Sequence, residues 1–364
     1  MATEQTSSKP LVVYFGSANR SRGILVYELD RQSGRLTERS ITEIKGRGWI
    51  ELDPTERYLY AATDPDRIDA FAVDQRTGAL TALNSCQTGT ASVSHLSVDP
   101  ISKYVVGASY GGGAVCVVSI NADGSLGGPT DVVKHDPGPG DIPGPHPDQT
   151  QAKAHQCPFD PSGRWIAVND LGLDRTYVYR LDAASGKLVA NDPPYVQYAR
   201  GRGPRHITFH PSNRFAYVVN ELSSELTALT WNPDTGVFSE IQCESTLPPS
   251  WTGRKWSAQV VVHPSGRWVY ASNRGSGGPS DDIAIFAIDQ QSGRISLAGH
   301  AETLGQVARN FNIDPSGRWL ICVNQDSDNA VVFSVDQTTG LLTATGQQVN
   351  VVNVVCTQFA PAIG

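Results

Sequence analysis

One phrase recurs six times along the chain: an apolar stretch, then Asp or His followed by Pro, two further residues, Arg or Lys, and a second apolar run. It stands at Asp53-Pro54, Asp99-Pro100, Asp160-Pro161, His210-Pro211, His263-Pro264 and Asp314-Pro315, at spacings of 46, 61, 50, 53 and 51 residues. A Pro after Asp starts a turn and cannot sit inside a helix or a central strand. A third apolar run and a turn follow, the turn often glycine-bearing as in Asp234-Thr235-Gly236 or Gln291-Ser292-Gly293, and then a fourth short run. The unit whose runs are 205–209, 215–220, 226–231 and 237–242 has period-2 patterning and β-branched residues, which makes it a meander of strands. Four antiparallel strands in each unit of about 50 residues describe a propeller blade.

Segment 11–44 supplies three more strands without the phrase, and 351–359 supplies the missing innermost one. The count therefore predicts an all-β, seven-bladed β-propeller, closed by N- and C-terminal strands in one blade. Such closure removes exposed sheet edges. Two β-sandwiches would need as many strands but not one unbroken period. The expected organisation is a flexible segment 1–10 followed by a single domain, 11–364. The 61-residue spacing holds a Pro- and Gly-rich insertion at 127–151 with no strand pattern, read as a lid or a disordered excursion.

Composition narrows the partners. With 29 Lys+Arg against 36 Asp+Glu the net charge is −7, which argues against a nucleic-acid surface. The six cysteines form no C-x-x-C pair and no zinc spacing, so they read as buried reduced thiols. The polar start of the chain lacks the apolar core of a signal peptide. No apolar run approaches the roughly 18 residues of a membrane helix. The expectation is a cytoplasmic protein with no membrane partner; nothing in the sequence sets an oligomeric state.

Equivalent positions of the repeat form rings around the central axis. Five residues before the phrase, at the start of the innermost strand, stand His155, Arg205 and Arg309, with His95 one place off. Eleven residues after it, at the end of the second strand, stand Asp64, Tyr110, Glu221, Arg274 and Gln325, with Asp170 and Asp326 one place off. Antiparallel neighbours bring both sets to the same end of the channel. Convergent Arg side chains bind carboxylate or phosphate and keep their charge. A neutral His or a tuned carboxylate moves protons near neutral pH. The set suits a small anionic molecule undergoing acid/base chemistry; the bland alternative is a solvated rim.

Other motifs carry less. His210 and His263 fill the Asp slot of the phrase and read as turn caps. His135 and His146 lie in the insertion without metal-ligand spacing. Gly107-Ala-Ser109-Tyr-Gly111 has the G-x-S-x-G pattern but meets a strand end, not the strand-turn-helix of a nucleophile elbow, so Ser109 is not read as a nucleophile.

Several segments carry a resemblance: Ala154-His155 with Phe159-Asp-Pro-Ser-Gly-Arg164, Asn169-Asp-Leu-Gly-Leu-Asp-Arg175, Gly203-Pro-Arg-His206 with Asn220-Glu-Leu222, His263-Pro-Ser-Gly-Arg267 with Ala271-Ser-Asn-Arg-Gly275, and Arg309-Asn-Phe-Asn-Ile-Asp314 with Asn324-Gln-Asp-Ser-Asp-Asn329. In this order, over 11–359, the chain resembles the lactonase-type seven-bladed propellers, which include bacterial propeller 6-phosphogluconolactonases and fungal 3-carboxy-cis,cis-muconate lactonizing enzymes. The resemblance implies His155, Glu221, Arg205 and Arg274 as the catalytic set. His206 and Arg309 follow the phosphogluconolactonase-like pattern and, with Lys153, Asp170 and Gln325, are expected to bind substrate. Two positions depart from the lactonizing branch: Lys153 replaces a usual His, and Gln259 stands where a carboxylate is frequent. The leading expectation is hydrolysis of an anionic sugar-type lactone without metal or cofactor. The alternatives are a cycloisomerase closing a carboxymuconate to its lactone, and a non-enzymatic scaffold showing a large apolar patch.

Overall fold

The Asp/His-Pro phrase folds as a capped turn that also joins neighbouring blades. Asp99 Oδ1 accepts the backbone N–H of Lys103 and Tyr104 at 2.6 and 2.7 Å, and Asp160 Oδ1 accepts those of Arg164 and Trp165, both at 3.0 Å. The second carboxylate oxygen reaches the next blade: Ser102 donates to Asp53 Oδ2, and Asn213 to Asp160 Oδ2. Where His replaces Asp, Nδ1 accepts the N–H of Ser212 or Ser265. The opposite ring nitrogen then donates to a carbonyl in the next blade's turn, Gly266 O at 2.9 Å or Gly317 O at 2.8 Å. Turn and inter-blade joint are thus one device: the sequence reading of His210 and His263 anticipated the turn cap, and the joint is added by the structure.

The computed structural model describes residues 10–18, 23–44, 48–63 and 65–360. Residues 1–9 of the expected flexible segment, and Asp64, lie outside them. The described residues form seven sheets of four antiparallel strands. The first blade combines strands Leu11–Ser17, Gly23–Leu29 and Leu36–Glu43 with the C-terminal strand Val354–Ala360. The second to seventh occupy 50–87, 93–134, 154–197, 204–245, 257–302 and 308–350. The first strand of each of these six, and Val354–Ala360 in the first blade, touches its counterpart in the next blade all the way round. These seven strands line the channel.

Second strands such as Phe215–Asn220 and Trp268–Asn273 are wholly buried, while fourth strands such as Lys187–Gln197 are largely exposed. Apolar clusters lie between blades, and tyrosine hydroxyls stitch them: Tyr14, Tyr60, Tyr217 and Tyr270 donate to the carbonyls of Gly78, Gly124, Gly293 and Gly340 in the following blade. Each glycine has φ above +70° and comes so close that a Cβ would strike the neighbouring blade.

Two features differ from the sequence reading. The expected insertion at 127–151 begins too early, because Leu126–Lys134 is the fourth strand of the third blade. Gly127, Gly128 and Pro129 hid it; an outermost strand tolerates Pro and Gly where its N–H groups face solvent, and its register shifts twice. The irregular stretch starts at His135. It is pinned by Asp141 to Arg175 at 2.8 Å, by Gln149 to the Leu171 carbonyl, and by Asp148 to Arg254, in the segment before the sixth blade, at 3.3 Å. The closing strand is Val354–Ala360, three residues later than its expected start.

That strand locks the ring. Removing residues 354–364 leaves the edge of Leu11–Ser17 unpaired. Such a truncation should abolish recovery of soluble, cooperatively melting protein, read by gel filtration and circular dichroism. A truncated chain that melts like the full one would show that the pairing is dispensable.

Candidate active site

A register shift occurs at the mouth end of six of the seven channel strands. Val93 pairs Ser109 but His95 pairs Ala108, so Ser94 is left over. In the same way His155, Arg205, Arg309 and Val355 are passed over between their neighbours, and Ala258 with Gln259 shares one partner. A bulge leaves the extra residue out of the ladder and re-aims its side chain. Ser94, His155, Arg205, Arg309 and Val355 line one cavity of about 210 Å³, together with Trp49, His206, Gln325 and Ala18. The bulge, repeated blade by blade, builds the site.

Its electrostatics are mixed and largely desolvated. Glu221 follows the second strand of the fifth blade and takes two cations on one oxygen: Arg205 Nε at 2.8 Å and Arg274 Nη2 at 2.9 Å. Burial would raise its carboxyl pKa, but Arg274 and Arg205 outweigh that and hold it below the usual range. Burial pushes the Arg274 pKa down to about 10, with Glu221 opposing. Arg205 Nη1 donates to the Ala258 carbonyl at 2.6 Å and lies 3.2 Å from His206 Nε2. His206 Nδ1 meets Gln259 Oε1. Arg309 donates to Gln325 at 3.4 Å.

His155 is the outlier. It is buried, its ring lies 5.0 Å from that of His206 and 5.5 Å from Tyr110, and its Nδ1 has no hydrogen-bond partner among the described residues. Burial first, then Arg205 and the other nearby cations, holds its pKa well below the ordinary imidazole value. His206 is depressed for the same reasons, and His95, its ring 4.3 Å from that of Trp49 and tilted to it, falls to about 3. All three rings are neutral at pH 7.

The expected residues divide by position. His155, Arg205, His206, Arg309 and Gln325 line the cavity. Glu221 and Arg274 adjoin Arg205 from behind; the Arg274 side chain is only 1% exposed. Lys153 stands outside the cavity with its ammonium 5.0 Å over the Tyr110 ring. Asp170, expected to bind substrate, is a correction. Its carboxylate is fully buried and consumed by His135 Nδ1 at 2.7 Å and by the N–H groups of Lys153, Gly172 and Leu173. Trp49, Ser94 and Trp256 were missed. Ser94 shares the −5 offset of His155 but carries no charge to flag it; the tryptophans had no such signal. Among the described residues no group of three or more His, Cys, Asp or Glu side chains is placed to hold a metal ion. No helix there is long and apolar enough to cross a membrane.

The family model described as lactonase, 7-bladed beta-propeller, matches residues 12–359. The chain belongs to that family. Within it, the 6-phosphogluconolactonase of Bacillus subtilis is 34% identical over 93% of this chain and 95% of its own length. The 6-phosphogluconolactonase of Pectobacterium carotovorum is 32% identical over 90% and 92%. The solved structure of a periplasmic gluconolactonase from Pseudomonas aeruginosa superposes with a TM-score of 0.89 at 26% identity, covering 97% of this chain and 99% of that one. The enzyme class read from the sequence, a lactonase, is that of the family, and the fold agrees in blade number and closure.

Proposed function

We propose that this lactonase hydrolyses a small anionic sugar lactone of the 6-phosphogluconolactone type, with His155 as the proton-transfer group. The observation that carries the reading is the cavity itself, where a neutral imidazole with an unpartnered nitrogen stands among Arg205, Arg309 and His206. Arg205 and Arg309 receive the phosphate or carboxylate and the oxyanion that develops on the lactone carbonyl. His155 takes a proton from water as its oxygen adds to the acyl carbon. It returns that proton to the ring oxygen as the C–O bond breaks. Glu221, held ionised by two guanidiniums, is a poor acid and serves to orient Arg205. An anionic substrate also offsets the positive field that depresses His155, so base strength rises when substrate arrives.

A panel of sugar lactones and carboxymuconates, followed by product acid and by absorbance, tests the reading. Opening of the anionic lactones supports it; turnover of muconates alone would replace it with ring closure.

The depressed histidines predict a pH dependence. Their folded pKa values lie below the unfolded value, so the unfolded chain binds more protons in acid, and stability is lost as pH falls below about 6.5. Each contributes up to roughly 1.4 kcal/mol per pH unit in that window. Melting temperature should hold from pH 8 to 7 and decline below 6.5. The acid limb of kcat/KM should lie below 6.5, as long as the protein stays folded; a limb above that value would remove His155 from its role.

A further inference from the structure

Trp256 sits just before the channel strand Ser257–Val262, half-buried, and belongs to none of the blades' apolar clusters among the described residues. Packing does not explain it; its contacts are polar and charged. The indole N–H donates to Glu221 Oε1 at 2.8 Å, while Glu221 Oε2 takes Arg205 and Arg274. The Arg274 guanidinium lies 3.9 Å over the indole ring, and that of Arg254 lies 4.6 Å over it. Arg254 is in turn tied to Asp148 of the irregular stretch after the third blade.

We infer that Trp256 is a positioning residue for this reaction: it fixes the rotation of the Glu221 carboxylate and thereby the aim of Arg205 into the cavity. A carboxylate held on one oxygen can swing about its terminal torsion, which is broad and roughly two-fold. A donor on the second oxygen removes that freedom. The same ring supports Arg274, so one side chain seats both the anion that grips Arg205 and the second cation that shares that anion. Arg205 alone of this set reaches the cavity wall, so the effect on substrate is indirect.

The inference rests on the lactonase chemistry proposed above, and the experiment separates the two. Trp256→Phe keeps a ring beneath Arg274 and deletes the N–H; benzothienylalanine at 256 does so with the indole shape intact, should Trp256→Phe fold poorly. Either change should lower kcat about tenfold and shift KM less than threefold, leaving the acid limb of kcat/KM where His155 sets it. In a Glu221→Gln background the same change should cost less than twofold, because the group acted upon is gone. An equal loss in both backgrounds, or an unchanged kcat, overturns the positioning role while leaving the lactonase reading intact. A wild-type protein that opens no anionic lactone discards that reading and this inference with it.

Discussion

His155→Asn should lower kcat by about 10²- to 10⁴-fold, the range that a positioned proton-transfer group supplies. KM should change little, because Arg205 and Arg309 remain to hold the anion. The variant should also lose less stability between pH 6.5 and 5 than the parent, since one of the depressed imidazoles is gone. Steady-state rates at pH 7.5 and melting curves across that interval test both halves. A kcat within threefold of the parent would take proton transfer away from His155.

Glu221→Gln should be the most destabilising single change near the cavity. Arg205 and Arg274 are both buried against one Glu221 oxygen, and removal of the shared anion leaves two guanidiniums in low dielectric without compensation. Breaking a buried pair from one side costs about 3–5 kcal/mol, which should appear as a melting point lower by several degrees. Activity should fall as well, with Arg205 no longer aligned. Glu221→Gln that melts with the parent would show that the charges are already well solvated.

The blades were legible because their punctuation is chemical: Asp or His before Pro writes a capped turn wherever it occurs, and six copies set the period. The −5 offset found His155, Arg205 and Arg309 because strand starts share one height along the axis. Height is not direction. Glu221 and Arg274, found by the +11 offset, stand behind Arg205, and Asp170 turns its carboxylate back into its own turn. Bulges have no sequence signature here, so Ser94 and Ala258 passed unnoticed at the same offset as the charged residues. The strand Leu126–Lys134 was hidden by Gly-Gly-Pro, which reads as a loop until the strand is seen to be outermost. Trp256 escaped because no other blade has a counterpart to reveal it.

Since each bulged side chain lies outside its own ladder, its identity is uncoupled from strand pairing. Chemistry at the mouth can therefore be exchanged one spoke at a time while the wheel keeps its shape. Val355 and Ala258 are spokes without a polar head, and Ala258 still lends its carbonyl to Arg205. The architecture leaves room there for new functional groups to be grafted without redrawing a single sheet.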